Sequence, residues 1–165
     1  MRGATVAGVL LTMLGGACGD TAPEGAQPDV EEAPVSESAV SVRLEDFVVE
    51  PAPDSVPAGR VTFEIQNDGY AMDEEGDDIA SPSGGKHELS VLRTDLPGGD
   101  LPQNTTTFLA EVDAPGIEVV GSAPVLEDGQ TESLSVDLQP GPYVLICNLT
   151  SHYARGMWAE FSVSS

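Results

Sequence analysis

The sequence predicts an all-β domain, an antiparallel sandwich or barrel, on three observations. Short apolar–polar alternations recur, turn signals separate them, and no window sustains a long 3.6-residue apolar period.

The predicted strands follow in order. Val40-Ser41-Val42-Arg43-Leu44 and Val61-Thr62-Phe63-Glu64-Ile65 alternate residue by residue, which suits strands with one buried face. Leu89-Ser90-Val91-Leu92 and Leu134-Ser135-Val136-Asp137-Leu138 read the same way. Tyr143-Val144-Leu145-Ile146 is continuously apolar, as expected of a strand covered on both faces. Turns are predicted at Pro57-Ala58-Gly59, Asn67-Asp68-Gly69, Pro97-Gly98-Gly99, Asp128-Gly129 and Pro140-Gly141-Pro142. A helical turn fits within Glu111 to Val120, kept short by Pro115-Gly116. No internal repeat is present.

The 165-residue chain divides into three parts by composition. Residues 1–18 read as a secretory signal: Met1-Arg2, an apolar run from Ala4 to Leu14, then Gly15-Gly16-Ala17 before Cys18. The position of Cys18 resembles the lipid-modified cysteine of bacterial lipoproteins, although Gly15 stands where those leaders carry an apolar residue. The alternative is cleavage near Ala17 with no anchor. Residues 19–38 are rich in Pro, Gly, Ala and acids, and cannot bury enough surface to offset chain entropy. They are expected to form a flexible tether spanning about 25 Å root-mean-square. Residues 39–165 form the predicted domain.

Net charge is -22, with 28 acidic residues against 6 Lys+Arg. Phosphate binding requires Lys and Arg, so a nucleic-acid partner is excluded. A basic protein, such as a cytochrome or an oxidase, is the electrostatic complement. The two cysteines, Cys18 and Cys147, each have a context of their own, so no disulfide is predicted. Two sequons, Asn104-Thr105-Thr106 and Asn148-Leu149-Thr150, are read as chance, since a glycan on Asn148 would obstruct the loop that follows Cys147.

The predicted domain contains one cysteine and two histidines, and all three stand in a pattern suited to a copper ion. Cys147 closes the apolar strand, His152 follows in Cys147-x₄-His152-x₄-Met157, and His87 begins an upstream strand-like run. Thiolate suits Cu(I), imidazole suits both oxidation states, and a weak thioether opposes the square arrangement of Cu(II). A His₂Cys set with a long axial Met is the electron-transfer arrangement.

These residues resemble the cupredoxins, the blue-copper family. The ligand loop is most similar to those of sulfocyanin and rusticyanin. Val56-Pro57-Ala58-Gly59, His87-Glu88-Leu89, Leu138-Gln139-Pro140-Gly141-Pro142-Tyr143 and Tyr153 to Met157 also carry the likeness. The resemblance implies a Greek-key antiparallel β-sandwich, and a single type 1 copper held by His87, Cys147, His152 and Met157. It implies a one-electron carrier rather than an enzyme, since no histidine is left for a second copper site. It also implies that His152 lies near the surface as the electron port, in an apolar patch with Leu149 and Tyr153. A periplasmic copper chaperone or buffer is the alternative function. The expected location is the periplasm or outer cell surface, with the protein a monomer whose membrane association is through Cys18 alone.

Two departures from the family stand out. Glu88 replaces the plastocyanin Asn that braces the cysteine loop; it is placed facing solvent here, with a bond to Thr150 or Ser151 as the alternative. The acidic stretch from Asp68 to Lys86 is longer than the usual turn, and is expected at the metal end of the sandwich. Trp158 and Phe161 are assigned to the core, and Met13 and Met72 are unconnected with the site.

Overall fold

A computed structural model describes residues 36–70 and 83–165. The expected leader, Cys18, almost all of the tether, and the acids from Asp73 to Asp78 lie outside the described residues, as do Met13 and Met72.

Two sheets face each other. The first contains β2 (Val48–Ala52), β1 (Glu37–Glu45), β4 (Gly59–Asn67) and β7 (Thr131–Leu138), in that order. The second runs β3 (Ser55–Pro57), β9 (Trp158–Ser164), β8 (Gly141–Ile146), β5 (Ser90–Arg93) and β6 (Glu118–Ser122). Pairing is antiparallel except for β1 with β4 and β3 with β9. The predicted β-sandwich holds, with these two parallel pairings within it.

Alternation decides which side chains enter the core. Val40, Val42 and Leu44 on β1, and Val61, Phe63 and Ile65 on β4, are buried between the sheets. Arg60 and Glu64 between them face outward, and Arg60 pairs with Asp137 on β7. Phe63 meets Phe161 edge to face, with centroids 5.4 Å apart. Each such aliphatic or aromatic insertion stabilises the fold by roughly 1.5–3 kcal/mol.

The strand Tyr143–Ile146 has two covered faces, as its composition predicted. Tyr143 and Leu145 enter the sandwich core, whereas Val144 and Ile146 belong to a second cluster with Leu92, Leu101, Ala110 and Tyr153. The segment between β5 and β6 supplies Leu101 and Ala110 and covers this outer face. Its 3₁₀ turn at Gly98–Asp100 approaches Trp158 so closely that a Cβ on Gly98 would collide with the indole.

Some boundaries differ from the sequence reading. β1 begins at Glu37, so the last two residues assigned to the tether pair instead with Arg60 and Val61. The Glu111–Val120 segment turns at Ala114 and Ile117 and then becomes β6. Four strands, β2, β3, β6 and β9, were not predicted. β2 and β3 are short and broken by prolines, and β6 carries Gly121, which lies tight under Val136.

Tyr143 ties β8 back to the turn before it: its hydroxyl donates to Gln139 O at 2.8 Å and accepts the Gln139 N–H at 3.1 Å. Tyr143→Phe removes both bonds while keeping the ring. It is expected to lower stability by about 1 kcal/mol in urea unfolding; an unchanged midpoint would show that the hydroxyl contributes nothing.

Candidate metal centre

The centre is built at one end of the sandwich by the loop joining β8 to β9. The register Ile146↔Trp158 ends the strand pair, and Cys147 N–H donates to Met157 O at 3.0 Å to close the neck. Beyond the neck the chain coils rather than extends. His152 N–H bonds Leu149 O, a 3₁₀ turn covers Tyr153–Arg155, and Met157 N–H bonds His152 O at 3.1 Å. Two left-handed residues make this possible: Gly156 at φ 98°, and Ser151 at φ 67°, where a non-glycine residue carries strain.

The coil returns three donor side chains to one point. His152 Nδ1 lies 3.5 Å from Cys147 Sγ and 3.2 Å from Met157 Sδ. All three residues are 0% exposed. The x₄ spacings are the lengths that one bend plus one 3₁₀ turn consume.

His87 comes from the neighbouring strand run, bridged to Leu126 by backbone bonds of 3.1 and 2.7 Å. It too is fully buried, its ring 5.2 Å from that of His152. Its nitrogens are engaged elsewhere, however. Nδ1 is 2.7 Å from Asn67 Oδ1, and Nε2 is 3.0 Å from Asp46 Oδ1. Asn67, at the end of β4, donates from Nδ2 to Gly85 O and Leu126 O and accepts the Gly69 N–H at Oδ1. Asp46, in the turn between β1 and β2, is 3% exposed, and among the described residues its Oδ2 has no partner. Nor has His152 Nε2.

Asp46, His87 and His152 therefore form a second donor group, with ligand atoms within 4.8 Å of one another. Sequence reasoning missed Asp46 and Asn67. Asn67 was read only as a turn residue, and Asp46 stands at the end of an alternating strand with nothing to mark it as buried.

Electrostatics follow from burial. Desolvation pushes the Cys147 thiol up to about 12, against the backbone N–H groups of Glu88 and Leu149 that point at the sulfur. The Glu88 N–H lies 3.5 Å from Sγ. Desolvation, then the neighbouring His87, pulls His152 down to about 4. Burial also lowers His87, with Asp46 opposing. Both imidazoles are thus neutral at pH 7, the form that can ligate a metal.

Several placements correct the sequence expectations. His152 is fully buried, its ring covered by half-exposed Phe47, 5.5 Å away edge to face, with the Arg155 guanidinium 4.8 Å over the Phe47 ring. Tyr153 is not part of a surface patch. It is 1% exposed because its hydroxyl donates to Gly98 O and accepts the Leu101 N–H, which directs the ring into the second cluster. Leu149 is half-buried against the core. Glu88 is half-buried rather than fully facing solvent, and its backbone N–H, not its side chain, is directed at the Cys147 sulfur. Burial pulls the Glu88 carboxyl up, with the backbone of Asn148 opposing. Asn148 in turn grips Ala110 at both N–H and O (2.7 and 3.1 Å). The acidic stretch leaves and re-enters beside the centre, at Gly69 and Gly85, both tied to Asn67.

No protein-family model and no curated protein matches the sequence. Solved structures match its fold. Auracyanin A, a "blue" copper protein from Chloroflexus aurantiacus, is 13% identical, with 78% of this chain and 100% of that one covered and a TM-score of 0.50. Reduced auracyanin from Roseiflexus castenholzii is 17% identical over 78% and 97%, with a TM-score of 0.48. Rusticyanin from Thiobacillus ferrooxidans is 15% identical over 78% and 79%, with a TM-score of 0.47. The likeness is one of fold, and the fold is that of the cupredoxins.

In metal-free protein, with Cys18→Ser to leave one thiol, Cys147 is expected to resist a thiol-reactive dye at pH 8 until the fold is opened by denaturant. Rapid labelling of the native form would contradict the buried, protonated thiol. The His152 imidazole, followed by proton NMR, is expected to titrate well below 6.5, near pH 4. A midpoint at 6.5 would contradict its burial.

Proposed function

We propose that the chain is an exported type 1 copper protein that carries single electrons between redox partners. The observation that carries this reading is the convergence of Cys147 Sγ, His152 Nδ1 and Met157 Sδ on one buried point. A thiolate, an imidazole and a thioether at that point are the soft and borderline donors that copper prefers. Two backbone N–H groups directed at the Cys147 sulfur favour its thiolate form. His87, 5.2 Å away ring to ring, would be the fourth ligand through whichever nitrogen it frees from its present partners. When bound, copper supplies the Cu(II)/Cu(I) couple.

The chain's own contribution is rigidity and exclusion of water. The neck bond, the Asn148 brace and the Asn67 bridge hold the donors in place, so that a change of oxidation state moves little. Such burial suits a carrier better than a chaperone, which needs ligands a partner can reach. Electron exit is assigned to His152 through Phe47, the half-exposed ring that covers it. The net charge of -22 suits a basic partner such as a cytochrome or oxidase, with association weakening as salt rises. Export, and a lipid anchor at Cys18, rest on the leader-like sequence of residues 1–18.

Copper added to the purified protein is expected to give an intense absorption toward the red end of the visible, with reversible one-electron redox. Cys147→Ser is expected to abolish that band while the sandwich still folds. A variant that keeps the band would remove Cys147 from the ligand set. Met157→Leu is expected to keep the colour and raise the reduction potential, because loss of the thioether favours Cu(I). A lowered potential would argue against an axial Met157.

A further inference from the structure

His87 has two ring nitrogens, and both are engaged. To bind a metal it must release one, and the two partners differ in what release would cost. Asn67 Oδ1 also accepts the Gly69 N–H at 2.9 Å, so the amide oxygen stays satisfied if His87 lets go. Its orientation is fixed, because Nδ2 donates to two carbonyls. Asp46 has no such reserve. Its side chain is 0% exposed, and among the described residues Oδ2 is unpartnered and His87 is the only group bonded to Oδ1. Freeing it would leave a buried carboxylate with no compensation. A neutral imidazole has one N–H, so with that proton on Nε2 the Nδ1 atom turns only a lone pair toward Asn67 Oδ1 and gives up no hydrogen bond in binding a metal.

We infer that Asp46 is a positioning residue for the copper centre: it keeps the Nε2–H of His87, leaves Nδ1 for the metal, and biases the ion toward Cu(II). The inference rests on the copper reading above. A carboxylate behind a ligating imidazole fixes its ring and raises its basicity. A buried negative charge one imidazole away also stabilises the higher-charged oxidation state, since little solvent screens it. The Asp46 backbone N–H bonds Gly69 O at 3.1 Å, so the same turn that presents the carboxylate is tied to the strand end carrying Asn67.

The test uses the full chain and copper alone. Asp46→Asn keeps an acceptor for Nε2–H and removes the charge. It is expected to retain the visible band and to raise the Cu(I)-over-Cu(II) affinity ratio about tenfold or more, which is ~59 mV for one electron. A blue wild type with an unmoved Asp46→Asn potential overturns this inference alone. A wild type that develops no band with copper overturns the copper reading and this inference with it. A second measurement needs no variant. In nitrogen-15 NMR of the wild-type Cu(I) form, His87 is expected to carry its proton on Nε2 and none on Nδ1; a proton on Nδ1 instead overturns the assignment.

Discussion

The site depends on one backbone bond, Cys147 N–H to Met157 O, which closes the β8–β9 loop at its neck. With the two ends held together, the nine residues between can only coil over the sandwich end. That coil brings His152 onto the two sulfurs. The bond lies one residue beyond the last pair of the β8·β9 ladder, and β8 is covered on both faces. Local geometry and core packing are therefore one structure. Moving Cys147 would require sliding a strand that two hydrophobic clusters hold in register.

The loop carried its own signature in sequence, because its spacing is local and its residue types are rare in this chain. The strands with clean alternation, β1, β4 and β7, were legible for the same reason. Four other strands were not. β2 and β3 contain prolines, β6 contains a glycine, and β9 starts directly from the ligand loop, so its alternation was absorbed into that motif. Pairing partners were also invisible: nothing in β1 announces that its neighbour β4 runs parallel.

The hidden half of the site consists of long-range contacts. Asp46 meets His87 across 41 residues, and Asn67 joins Gly85 and Leu126 across 18 and 59. A carboxylate in a turn normally faces water, and only the tertiary structure turns this one inward. Tyr153 and His152 show the converse. A resemblance placed both near the surface, but the second cluster draws in the tyrosine and Phe47 covers the histidine.

Two donor groups thus share His152: a sulfur-bearing one with Cys147 and Met157, and an oxygen-bearing one with His87 and Asp46. X-ray absorption at the copper edge of the loaded protein separates them most directly. A short thiolate sulfur scatterer accompanied by imidazole nitrogens is the result predicted here. A shell of nitrogen and oxygen donors without sulfur would place the ion on the Asp46 side and contradict the blue-copper assignment.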